Sequence, residues 1–170
     1  MNSLSETTID EVVLSSGTRA NKTGDVLELF VKRLLQDNGY TEFWNHKEQV
    51  FANRKAIGGK QYAEEVVIGQ SIYDTKVRCD FLVINNSKFP EGLIIECKWQ
   101  QSGGSVDVKY PYLVFNIMKL GVPTIILVDG KGARKKATDW LRAQAPPSKA
   151  LIGVYDMAEL QKLVNNGFLG

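Results

Sequence analysis

Apolar residues recur at helical spacing over Val26, Leu27, Phe30, Val31, Leu34 and Leu35. Thr23 is placed to cap this helix and Asn38-Gly39-Tyr40 to stop it. The preceding residues are mostly polar, with one short apolar patch at Val12, Val13 and Leu14, and read as a loosely attached arm over 1–22. Residues 44–51 read as a short strand and 52–60 as a basic, glycine-rich loop. Two runs heavy in Val, Ile and Tyr, 62–73 and Lys76–Asn85, flank a turn at Asp74 and Thr75 and predict a hairpin. Residues 86–92, with Pro90 and Gly92, then turn the chain into a third strand over 93–99.

A helix is expected from about Asp107 to Leu120, with Asp107 as cap, Pro111 in the first turn and Gly121 as stop. An apolar strand over 123–129 follows, then a helix over 133–144 with Ala137, Trp140 and Leu141 inward. A strand over 150–156 and a helix over Met157–Asn165 close the chain. A helix, antiparallel strands, and then helices alternating with strands predict an α/β sandwich on a mixed sheet, one domain over 23–170.

Composition narrows the class without deciding it. A chain of 170 residues, 44% hydrophobic, is long enough for one core. The formal net charge of +2 leaves any affinity for nucleic acid to the arrangement of charges. Two cysteines, no basic and apolar leader and no membrane-length apolar run predict a soluble, cytoplasmic protein with no membrane partner. No GxxxxGK loop is present, so no nucleotide cofactor is expected.

Two strands carry charge where a core should be apolar. Glu96 and Lys98 share one face of the strand Ile94-Ile95-Glu96-Cys97-Lys98-Trp99, while Ile95, Cys97 and Trp99 take the other. Asp80 lies in the preceding strand, and the short connection makes the two strands neighbours. Burying two carboxylates together is costly unless a cation stands between them. Asp80, Glu96 and the backbone carbonyl of Cys97 form a hard-oxygen set suited to Mg²⁺, and Lys98 can place a water beside it. Such a set can hydrolyse a phosphodiester. The same residues also describe a buried ion-pair network with no catalytic role.

Asp80 followed after a hairpin by Glu96-Cys97-Lys98 resembles the core signature of the PD-(D/E)xK nuclease superfamily. The run "GDVLELFVKRLLQDNGY" resembles the superfamily's acid-bearing first helix, with Glu28 in the acidic position. The run "WQQSGGSVDVKYPYLVFNI" resembles members of the restriction-enzyme type, making Gln100, Gln101 and Lys109 candidates. Strand parity favours Gln100, on the face of Glu96 and Lys98. The likeness spans about residues 23–130, and it departs from the family where Cys79 replaces a proline before the aspartate.

The resemblance implies a restriction-endonuclease-like α/β/α sandwich with a central mixed β-sheet. It implies a Mg²⁺-dependent DNA endonuclease, with Mn²⁺ substituting, of restriction type on duplex DNA and acting as a homodimer. A junction resolvase or repair nuclease, and a silent DNA-binding protein of the same fold, are the alternatives. Asp80 and Glu96 would hold metal with the Cys97 carbonyl, Lys98 the water, and Glu28 and Gln100 would assist.

Arg54, Lys55 and Lys60 in one loop, and Lys131, Arg134 and Lys135 in another, are candidate phosphate contacts beside Lys109, although such clusters also form plain solvated faces. Glu28 fits a solvated helix acid equally well. Cys79 and Cys97 are expected to face away from the acids as packing residues, and His46, the sole histidine, has no nucleophile partner.

Overall fold

The computed structural model describes residues 16–43, 47–101, 104 and 106–170. Of the arm expected over 1–22, residues 1–15, with the patch at Val12, lie outside the described residues, as does His46, while 16–22 belong to the first helix. In chain order the elements are α1 (Ser16–Asp37), β1 (Thr41–Glu42), α2 (Lys47–Asn53), β2 (Gln61–Gln70), β3 (Lys76–Asn85), β4 (Phe89–Trp99), α3 (Tyr110–Leu120), β5 (Thr124–Asp129), α4 (Lys135–Ala143), β6 (Leu151–Tyr155) and α5 (Met157–Asn165).

The six strands form one sheet in sequence order. β2, β3 and β4 are antiparallel, β4, β5 and β6 are parallel, and β1 adds to β2 in parallel. β5 is buried along nearly its whole length, as expected of a parallel strand covered on both faces. On one face Leu27, Val31 and Leu35 of α1 and Leu160 and Val164 of α5 pack on Phe81, Ile95 and Leu127. On the other, α2 places Val50 against Ala63, Leu82 and Ile84, while α3 and α4 place Val114, Ile117 and Leu141 against Ile126 and Val154. The result is an α/β/α sandwich on a mixed sheet, the expected fold class.

Several element boundaries differ from expectation for identifiable reasons. α1 already runs from Ser16, so Thr23 lies inside it rather than capping it. Residues 47–53 are helical, not a strand, because one turn of helix seats Val50 in the core beside Ala63; residues 44–46 lie outside the described residues. β4 starts at Phe89, earlier than expected, because the Phe89 ring packs against Phe168 at 5.6 Å between centroids. Asp107 begins a short 3₁₀ turn before α3 and makes no side-chain cap; its carboxylate pairs with Arg134. Gly121 does end α3, in the left-handed conformation (φ 67°). Trp140 is 42% exposed, because α4 meets the sheet through Ala137 and Leu141, one turn apart, and leaves the larger ring at its border.

Candidate active site

β4 obeys strict alternation. Leu93, Ile95, Cys97 and Trp99 pack with α1 and α5, while Ile94 packs on the opposite face, which Glu96 and Lys98 share. β3 does not. The β2–β3 ladder pairs Glu64 with Phe81 and Val66 with Cys79, and between them Glu65 takes a left-handed backbone conformation (φ 52°) opposite Asp80. The kink brings Cys79 into the layer of Leu82 and Ile94, so it does not face away from the acids as parity predicted. Cys97 does pack on the far face.

The β3–β4 ladder ends at this side with Phe81 opposite Ile95. One step further, the Cys97 N–H donates to Oδ2 of Asp80 at 2.6 Å, so a carboxylate takes the place a backbone carbonyl would hold. The Lys98 ammonium donates to Oε2 of Glu96 at 2.7 Å, to the Cys97 carbonyl at 3.2 Å and to Oδ2 of Asp80 at 3.3 Å. Burial lifts the Glu96 carboxyl above its usual range; Lys98 pulls it down and Asp80 pushes it up again. Burial alone would lower the Lys98 ammonium, but the adjoining carboxylates outweigh it and hold it above its usual value. Lys98 therefore stays charged at neutral pH.

The donor set fits a hard divalent ion. Two carboxylates and one carbonyl converge on the point that the Lys98 ammonium marks as a stand-in cation. Among the described residues no group of three His, Cys, Asp or Glu side chains assembles here or elsewhere.

A cleft of about 260 Å³ opens between this sheet face and α3, lined by Arg78, Ile94, Glu96, Lys98, Lys109 and Tyr112 among others. Lys76 also lines it; neither it nor Arg78 was found in the sequence, because the kink beside Asp80 breaks the alternation that would have placed them. Glu28 is half-buried on α1, near enough for its charge to help raise the Cys97 thiol, a shift that burial dominates. One turn on, Lys32 pairs with Glu64 at 2.6 Å and Glu42 at 3.0 Å and fixes the rotation of the helix.

Gln100 continues the β4 path, its N–H donating to Asp129 and its carbonyl accepting from Gly132, both at 2.9 Å. Gln100 is 2% exposed, and neither of its side-chain amide atoms has a partner among the described residues. The Tyr110 hydroxyl is likewise buried and unpaired, and its ring lies where both Asp107 and Lys98 act on it.

Of the basic candidates, Lys109 reaches the cleft. Arg54 is engaged elsewhere, by the Glu91 and Phe51 carbonyls and the Phe51 ring, and Lys55 pairs with Glu91 at 2.7 Å. Five residues of strand separate Glu91 from Glu96, roughly 17 Å. Lys60 is spent on the Asn38 and Gly170 carbonyls. Arg134 pairs with Asp107 and Lys135 with Asp139, while Lys131 is exposed beyond β5.

Residues 19–168 match the family profile described as the PD-(D/E)XK nuclease superfamily domain. The chain belongs to the PD-(D/E)XK nuclease superfamily. Its mixed six-stranded sheet between helices is the restriction-endonuclease-like fold. Superfamily membership implies a hydrolase acting on nucleic acid, and members generally use divalent metal ions. No curated protein and no solved structure matches the chain. No described helix is long and apolar enough to cross a membrane.

Proposed function

We propose that the protein is a Mg²⁺-dependent DNA endonuclease acting at the Asp80–Glu96–Lys98 cluster. The carrying observation is the convergence of the Asp80 and Glu96 carboxylates and the Cys97 carbonyl on one cation position, at the floor of a cleft edged by Lys76, Arg78 and Lys109. A divalent ion held there, with Mn²⁺ able to substitute, would polarise a phosphoryl oxygen and stabilise the leaving oxygen.

Lys98, held protonated by its carboxylate neighbours, serves as donor rather than base: it orients the attacking water and offsets negative charge developing on the phosphoryl group. Glu28, on the α1 side of the sheet near Cys97, is assigned an assisting role through its charge alone. Gln100 is a reserve donor and acceptor, since leaving both ends of a buried amide unpaired costs roughly 1–3 kcal/mol each and is tolerable where water or substrate completes them. Lys109 contacts phosphate directly, with Lys131, Arg134 and Lys135 on the flanking surface. One domain with one such site cuts one strand, so cleavage of both strands calls for a homodimer.

The resemblance to restriction enzymes favours continuous duplex DNA as substrate. A second reading, a nuclease selective for branched or partly unpaired DNA, is favoured by an exposed tyrosine pair at the cleft, because a fully stacked duplex offers it no free base. Linear duplex, single-stranded and four-way junction DNA incubated with Mg²⁺, with the ends mapped, tests both. Discrete duplex fragments support the first reading and cuts confined to the branch support the second. No cleavage of any of the three refutes the nuclease reading.

A further inference from the structure

The turn between β2 and β3 leans onto α3 beside the cleft. Tyr73, at the tip, stacks on Tyr112 of α3 with centroids 5.3 Å apart and ring planes 19° from parallel. Tyr112 itself lines the cleft together with Glu96, Lys98 and Lys109. Tyr73 is 72% exposed, so one face of the stack is covered and much of the outer ring is open.

The turn is held in place by polar ties rather than by burial. The Ile72 N–H donates to Oδ1 of Asn116 at 2.9 Å, and the Lys119 ammonium donates to the Ser71 carbonyl at 2.7 Å and to Asp74 at 3.0 Å. Within the turn, the Ser71 and Thr75 hydroxyls bond at 2.8 Å. An exposed ring fixed this firmly contributes little to the core, and it has already lost the freedom that binding would otherwise cost it.

The surroundings suit a polyanion. Lys76, Arg78 and Lys109 line the same cleft, and among the described residues none of the three pairs with an acid. An aromatic face beside unpaired cations is the combination that holds single-stranded nucleic acid, with stacking for the base and charge for the phosphates.

We propose that Tyr73, backed by Tyr112, is a stacking platform for an unpaired DNA base, with Lys76, Arg78 and Lys109 holding the adjoining phosphates on their way to the Asp80–Glu96–Lys98 cluster. The inference deepens the second reading of function and rests on it for the direction in which the strand runs. It names the substrate as DNA carrying an unpaired nucleotide at an end, gap or branch.

Binding measured with Ca²⁺ in place of Mg²⁺ separates this inference from cleavage. The probes are a short blunt duplex and the same duplex with a three-nucleotide single-stranded end, bearing 2-aminopurine at the first unpaired position. The expected result is tighter binding of the extended duplex, by about fivefold to a hundredfold, with quenching of the 2-aminopurine. Tyr73→Ala should bring the ratio of the two affinities close to one, and Tyr73→Trp should keep it. Lys76→Ala should weaken both duplexes in parallel and reduce the salt slope by about one.

Equal binding of the two duplexes by the unaltered protein overturns the proposal, and so does a preference that Tyr73→Ala leaves intact. If Tyr73→Ala converts a dimer to a monomer in sedimentation while the preference stays, the patch is a protein interface and the proposal fails. A chain that prefers the extended duplex yet cuts no DNA refutes the nuclease reading alone; one that cuts without the preference refutes the platform alone.

Discussion

The Lys98 ammonium stands 2.7 Å from a Glu96 carboxylate oxygen, within reach of Asp80 and of the Cys97 carbonyl. A basic side chain thus occupies the point where three oxygen donors meet, and a divalent ion entering there must displace it. Calorimetric titration with Mg²⁺ should give a saturable heat that Asp80→Asn removes. Because burial holds Glu96 protonated to higher pH than an exposed glutamate, Mg²⁺ affinity should fall as pH drops through that raised value. Heat unaffected by Asp80→Asn would place the ion elsewhere.

Removing the cation should expose the cost of the two acids. Lys98→Ala is expected to destabilise the metal-free protein at pH 7 by on the order of 1–3 kcal/mol, less than for a fully buried pair because Lys98 is 26% exposed. The Glu96 carboxyl, already raised, rises further without Lys98. The native state then binds a proton that the unfolded state has released, so the penalty should grow as pH climbs above the carboxylate range and shrink as pH falls back into it. Urea melts at pH 4.5 and pH 7 check this, and an equal loss at both would deny the coupling.

Gly130 fixes the path by which Gln100 leaves β4. Its φ is 113°, and an added Cβ would stand 2.2 Å from the Gln100 carbonyl oxygen, a backbone atom with nowhere to retreat. Gly130→Ala should cost about 1–3 kcal/mol in chemical denaturation. Unchanged stability would mean that the β5 loop and Gln100 are not so closely apposed.

Burial pushes both thiols well above the ordinary cysteine range, and the neighbouring carboxylates add to the shift. Cys79 and Cys97 should alkylate slowly in the native protein at pH 8 and rapidly in denaturant, by at least about tenfold. A native rate near that of a free thiol would show the strand edges to be open.

Where one physical rule governs, the sequence is a good guide. The shared face of Glu96 and Lys98 follows from strand parity, and the nearness of Asp80 from the short hairpin, whose strands pair Phe81 with Ile95. The position of Cys79 was not legible, because the kink that turns it sits at Glu65, a residue type that gives no sign of left-handed backbone. Arg54 and Lys60 form a basic cluster in sequence, yet chain folding spends both on carbonyl oxygens. Lys76 and Arg78 were hidden for the same reason as Cys79: the kink beside Asp80 breaks the alternation along β3, so parity counted back from Asp80 does not say which face they take.

Hydrolysis of DNA by this cluster is checked by cleavage of duplex and branched DNA with Mg²⁺, comparing the unaltered protein with Glu96→Ala and Lys98→Ala at matched DNA occupancy. Cleavage that EDTA abolishes and that each substitution lowers by at least about a hundredfold, with DNA binding largely kept, is the predicted result. Cleavage persisting in both variants would contradict it.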